Sequence, residues 1–357
     1  MRSFSRSRIN KYQVEPNIIC ENNQNEVEMR NELKIFFKYA GYTLLLLVFT
    51  TCKNEATPTT QAIEIVEEIS FEQAKLELPL YTNFLTHFKE RGYTFWDFHT
   101  YIQADKSALP EKLMVIRHDV HHRDIPSAYR AKVLEENIIG KNTATYYVML
   151  DFYPESLENG FENKRLDYLK LMHFLKDQAV DVQPHTSPWD DYLAEYPETW
   201  WRNLPKDSLM LLKNKFYSIH KDEKYYSIET ILHDTLNMAH VLEVLPKQIA
   251  RFNALWQSEL GLKVESVAAH GSSTPINHVI NNVDILNVKK VRQAGLFILE
   301  TSSPEVFQKL KFIHDNNRPL WMENPQDVVD GQYEFLMHPQ VWENPQEYRD
   351  LYWPKTK

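Results

Sequence analysis

The chain has 357 residues, 43% of them hydrophobic, with a formal net charge of -9 and a pI near 5.9. That is enough apolar material for one large domain or two modest ones, and the acidic balance argues against nucleic acid or an anionic membrane surface as an electrostatic partner, leaving neutral substrates as the better fit. Only 8 glycines make a Gly-rich phosphate loop a poor expectation, and the two cysteines, Cys20 and Cys52, both precede the folded region, so neither a disulfide framework nor a cysteine metal site is available.

Residues 1–28 are polar and Asn-rich and lack a core pattern, which makes Met29 a candidate start. A basic stretch follows, then the apolar run Tyr39-Ala-Gly-Tyr-Thr-Leu-Leu-Leu-Leu-Val-Phe-Thr-Thr-Cys52, the layout of a secretory signal. The run falls short of the ~20 residues that span a bilayer. It resembles a bacterial lipoprotein signal, which implies that Cys52 becomes the lipidated first residue of an exported, envelope-anchored protein. Thr51 and Phe49 depart from the residues usual at those positions. Residues 1–52 are thus expected to be a leader, 53–69 a polar, Thr-rich tether, and 70–357 the folded domain. On this reading Cys52→Ser releases the protein from membranes without altering the fold, as fractionation of cells would show; unchanged membrane retention would mean that another element anchors it.

Phe71 to Gly92 is expected to form a helix, with Ser70 as N-cap and Leu76, Leu80, Phe84 and Phe88 along one face. Leu113-Met-Val-Ile-Arg-His-Asp-Val-His-His122 then reads as a short buried strand that ends in a packed cluster of ionisable groups. Pro126 marks the start of a helix that runs to about Glu136 and is closed by Gly140. A β-rich run, 143–149, gives a second strand, Arg165 to Gln178 a helix, and 181–185 a third strand ending in His185. A looser segment carries Trp200-Trp201. A long helical stretch, 228–260, is expected to be kinked near Pro246 and leads past Gly261 to a strand at 265–270. After a helix near 287–294 come the run Leu296-Phe-Ile-Leu, an element at 307–313 that is helix or strand, and a final strand at 333–338. Strands alternating with helices predict an α/β fold with parallel strands.

Asp119, His121, His185, His270 and His338 each sit at or just past the carboxyl end of a predicted strand, where parallel strands bring side chains together around a ligand crevice. Imidazoles and carboxylates converging in one mouth are the usual way to hold zinc or a similar divalent ion with an open position for water. His87, His173, His233 and His240 fall on predicted helices and read as packing or surface residues.

The order of Arg117-His-Asp-Val120, His185-Thr186, Ala268-Ala-His-Gly271 and Phe335-Leu-Met-His-Pro339 resembles the NodB-homology polysaccharide deacetylases, carbohydrate esterase family four. It is closest to the divergent branch whose first motif reads Arg-His-Asp-Val-Asp, and the likeness covers Leu113 to Trp342. The resemblance implies a distorted (β/α) barrel of about seven parallel strands, and metal-dependent removal of N-acetyl or O-acetyl groups from an envelope or extracellular polysaccharide. By the same resemblance Asp119 is the base, His185 a metal ligand and His338 the acid that protonates the leaving amine, with Arg117 and His118 flanking and orienting the base.

Two departures alter the expected site. The branch's second Asp is His121 here, still a competent ligand, and a second histidine expected four residues after His185 is Trp189. His270 is the leading replacement ligand, with Asp190, His122 and Asp191 behind it, so the expected metal set is His121, His185 and His270, with zinc the expected ion. Arg117, Trp189, Asp190 and Trp321 are candidates for substrate contact. Two other readings stay open at this stage. One is a non-catalytic glycan-binding relative that stacks sugars on Trp189, Trp200, Trp201 or Trp321; the other is a glycosidase pairing Asp119 with Asp190 or Asp191.

Overall fold

Eight short strands form one parallel sheet: β1 Thr94–Trp96, β2 Leu113–Val120, β3 Ala144–Val148, β4 Asp181–Thr186, β5 Ser266–Ala269, β6 Leu299–Glu300, β7 Lys311–His314 and β8 Gln332–Met337. The computed structural model describes residues 69–149, 161–196, 239–271, 275–278, 280–315 and 324–343, with 198, 205, 207, 208 and 211 between them. All of these lie within one unit, Ile65–Lys357. The expected leader, Cys52 and all of the tether but Ile69 lie outside the described residues, as do Trp200, Trp201, His233 and Trp321. Among the described residues no helix is long and apolar enough to cross a membrane.

The strands run in the order β6-β5-β4-β3-β2-β8-β7, a curled half-barrel path of seven, and β1 pairs beside β3 on the same side of β2. The five strands expected from the sequence all lie in this sheet, all parallel. Among the described residues β6 and β7 do not pair, so a seam is left open between them.

Strand β2 explains how the sheet is filled. All eight of its residues are buried, and because successive side chains point to opposite faces they enter two different cores. Leu113 and Val115 join Phe98, Tyr101, Tyr147, Ala268, Val306 and Leu310 on the inward face. Met114, Ile116 and Val120 join the larger outer core, built with the helices Pro79–Glu90, Ile125–Ile138, Phe161–Asp177 and Ala239–Leu260. Continuing the alternation, Arg117, Asp119 and His121 point inward and His118 outward.

The outward His118 is satisfied by a buried polar knot. Its Nε2 and the hydroxyl of Tyr81 each lie 2.5 Å from Glu135 Oε1, and Tyr146 donates to Glu135 Oε2 at 2.9 Å. The Tyr146 ring stacks on the imidazole with centroids 4.2 Å apart. Glu135→Ala would strip three buried groups of their partner at once, so we expect a loss of about 3–5 kcal/mol of stability, the range for breaking a buried pair from one side. Urea unfolding measures it, and a loss below ~1 kcal/mol would show that water or repacking replaces the carboxylate.

The helices follow their local signals, with instructive exceptions. Ser70 caps its helix, accepting the Gln73 N–H, but the helix ends at Glu77 and a second, Pro79–Glu90, begins at the proline. Pro79 cannot continue the first helix because it lacks the N–H and clashes with the preceding turn. The break rotates the buried face onto Ala74, Leu78, Tyr81, Phe84, Leu85 and Phe88, leaving Leu76 82% exposed, against expectation. Conversely, Pro246 lies inside the continuous helix Ala239–Leu260, which Gly261 follows with φ +67°. The helix expected near 287–294 is two short ones, Asn282–Leu286 and Lys289–Gln293.

Candidate metal centre

The inward residues at the carboxyl ends of β2, β4, β5 and β8 meet in one place. His185 pairs in register with Ala268, and the His270 N–H bonds to the Thr186 carbonyl at 2.8 Å, which fixes the β4 and β5 ends side by side. The His121 ring lies 5.3 Å from His185 and 5.0 Å from His270, and those two are 5.0 Å apart.

Each imidazole keeps one nitrogen for a ligand. His121 directs Nδ1 at Asp124 Oδ2, 2.9 Å away, and His185 directs Nδ1 at the Ala268 carbonyl, 3.1 Å away. Donation through Nδ1 leaves the Nε2 lone pairs facing inward. Those two Nε2 atoms and His270 Nδ1 are buried without a hydrogen-bond partner, and one nitrogen from each histidine comes within 4.8 Å of the others. Three buried, unpartnered nitrogens at that spacing fit zinc, which takes three protein ligands and an open position in catalytic sites. Burial pushes the His270 pKa down to about 4, helped by His121, and burial holds His185 well below its usual value despite the nearby Asp119. Both are therefore neutral, the form that binds a metal.

The chain matches no family model, no curated protein and no solved structure. Its chemistry is read from its own side chains.

Beside the three histidines, Asp119 lies with Oδ2 3.7 Å from His185 Nε2. Arg117 grips both its oxygens, Nε to Oδ1 and Nη2 to Oδ2, each at 2.8 Å. Burial alone would raise the Asp119 pKa, but Arg117 and His185 hold it well below the ordinary carboxylate range, so it is ionised. On the other side, His338 turns Nδ1 to Asp315 Oδ1 at 2.9 Å while its backbone N–H bonds to Asp315 Oδ2. Its ring lies parallel to His121, 5.3 Å away. Burial opposes its charge, yet Asp315 prevails and pushes His338 up to about 9. An ionised carboxylate and a protonated imidazole thus share one cavity of about 460 Å³ with His121, His185 and His270.

Several candidates for substrate contact are corrected by their surroundings. Trp189 is fully buried, its indole N–H donating to the Ile280 carbonyl and its backbone N–H to Asn282 Oδ1. A covered ring offers no stacking face, so it is a core residue. Arg117 is 2% exposed and all three of its guanidinium nitrogens are engaged, with Nη1 on Thr301, Ser302 and Glu334. It orients Asp119 and has no arm left for a substrate. Asp190, on the helix Pro188–Glu195, accepts from Ser187 and does not line the cavity; neither does Asp191, so the carboxylate pairing a glycosidase needs is absent there. His122 is spent on Asp167, 3.1 Å away.

Four residues escaped the sequence reading. Asp124 follows His121 by three positions and belongs to the turn His122–Asp124 that His121 caps. Asp315 ends β7 as the histidines end their strands, and the same strand-end signal would have found it had 311–314 been recognised as a strand. Glu334 and Glu300 lie buried beneath Asp119, and burial pushes them up to about 8 and about 7. Neither stands out in the sequence, since Glu300 ends a strand of only two residues and Glu334 lies three residues before the end of β8.

Proposed function

We propose that this chain is a zinc-dependent hydrolase that removes acetyl groups from an acetamido sugar, or the corresponding acetate ester, in a polysaccharide of the cell envelope or its surroundings. One observation carries the reading: three imidazoles with unpartnered nitrogens converge between an ionised aspartate and an aspartate-held histidine. The order of motifs along the chain supports the NodB-like deacetylase among hydrolases.

Zinc bound by His121, His185 and His270 would supply a Lewis acid and lower the pKa of water to about 7. The protein's own groups complete the reaction. Asp119 lies where it can accept the proton of a water attacking the acetyl carbonyl, and Arg117 fixes both carboxylate oxygens so that no reorientation is needed. As the carbonyl carbon gains the water oxygen, the C–N bond breaks and acetate leaves. His338, held protonated by Asp315, gives its proton to the departing amine nitrogen. At neutral pH the carboxylate is ionised and the imidazole protonated, the states in which a base and an acid start these two steps.

The test is metal content together with acetate release. Purified protein should carry close to one zinc per chain and release acetate from an acetylated chito-oligosaccharide. A chelator should abolish the release and added zinc restore it. Protein that binds no divalent ion, or whose acetate release survives chelation, would overturn the proposal.

A further inference from the structure

Strand β7, the last strand on its side of the sheet, lines the same cavity. Phe312 pairs in register with Glu334, and His314 with Leu336, so both point to the inward face that carries Arg117 and Asp119. On the same face the rings of Phe98, Tyr101 and Tyr147 are covered, at most 1% exposed. Phe312 is 38% exposed because β7 is the last strand on its side, and Phe307, which ends the helix Pro304–Phe307 before β7, is 45% exposed. The three rings form a row: Phe307 to Phe312 at 5.3 Å, then Phe312 to His314 at 5.2 Å with planes 28° apart. Phe312 and His314 line the cavity that also holds His121, His185 and His270, so the row reaches from the exposed Phe307 into that cavity.

We infer that this row is a carbohydrate platform, which holds sugar units flanking the one whose acetyl group is removed. The inference rests on the proposed deacetylation. Aromatic faces take up the apolar C–H face of a pyranose, while Ser302 and Gln340 on the same lining are polar neighbours for its hydroxyls. A second protein is a poor occupant. A whole aromatic side chain buries about 150–250 Å², so two half-exposed rings fall far short of the roughly 800 Å² per partner of a stable interface.

The test uses the full chain loaded with zinc, in wild-type form and as Phe312→Leu and Phe307→Ala/Phe312→Ala. Leucine keeps apolar bulk and removes the ring. The probe is the β-1,4-linked tetramer of N-acetylglucosamine, with the monosaccharide alongside. We expect the double variant to bind the tetramer about tenfold more weakly by calorimetry, as loss of a well-formed aromatic contact does. Its preference for tetramer over monomer in kcat/KM should fall by a similar factor, with zinc content retained. Equal tetramer affinity in wild type and variants, or no tetramer binding by wild type, would overturn the platform. So would a clear fall in the melting temperature of Phe312→Leu, which would mean that the protein covers the ring itself, or a dimer that the double variant dissolves. Ring-dependent binding without acetate release would instead retain the platform and remove the deacetylase reading.

Discussion

His185→Ala is expected to purify without zinc and to release no acetate. His185 supplies one of three nitrogens, its Nδ1 is already anchored on the Ala268 carbonyl, and no other described side chain lies in its place on β4. The loss should exceed the roughly 10–100-fold seen when only a residue behind a ligand is removed. Asp124→Asn supplies that milder comparison. Asp124 holds His121 through both the ring and the backbone N–H and also accepts from the Gln340 N–H, so its amide should weaken zinc affinity within that 10–100-fold range while the fold persists. Competition against a chromogenic chelator separates the two variants. If His185→Ala holds zinc as tightly as wild type, the three-histidine centre is wrong whatever happens to activity.

The sequence disclosed the site better than it disclosed the elements around it, and the reason is physical. A buried parallel strand that ends in ionisable residues is a costly pattern, and it recurs at Asp119, His185, His270 and His338. The alternation that sends Leu113, Val115, Arg117 and Asp119 inward places His121 with them. What stayed hidden depends on short or tertiary features. Strands β1 and β6 span three and two residues, too few to show any period. Residues 307–313 read equally as helix or strand, so Asp315, one residue past β7, was not seen as a strand-end group. Trp189 looked available because it follows a site histidine by four residues, but Pro188 starts a helix there and the ring turns into the core beside Ile280. Neither exposure nor burial of a single tryptophan is written in its spacing.

The buried charges beneath the site govern what happens when Asp119, the proposed base, is replaced. Asp119→Asn is expected to retain zinc and lose about 10²–10⁴-fold in kcat, the range that one general base contributes. An amide of the same shape keeps the site's outline but cannot take the water's proton. Ordinarily, removing one member of a buried pair leaves the other charge stranded, at a cost of about 3–5 kcal/mol. Here Arg117 has a second acid within reach, Glu334 Oε1 at 3.0 Å. In the wild type burial pushes Glu334 up to about 8, and the negative charges of Glu300 and Asp119 add to this, so it is largely protonated at neutral pH while Asp119 balances the guanidinium. Deleting the Asp119 charge removes one of the causes that keep Glu334 neutral. Its pKa falls, it ionises, and the pair re-forms one side chain away. Asp119→Asn should therefore fold with a penalty well below the stranded-charge figure, whereas Asp119→Asn/Glu334→Gln, which leaves Arg117 bonded to two amides with only Glu300 as a nearby acid, should lose clearly more stability. Urea unfolding of the two variants at pH 7 makes the comparison. Equal losses in both would show that Glu334 does not take over the charge, and a single variant stripped of zinc would show that Asp119 is a ligand rather than the base.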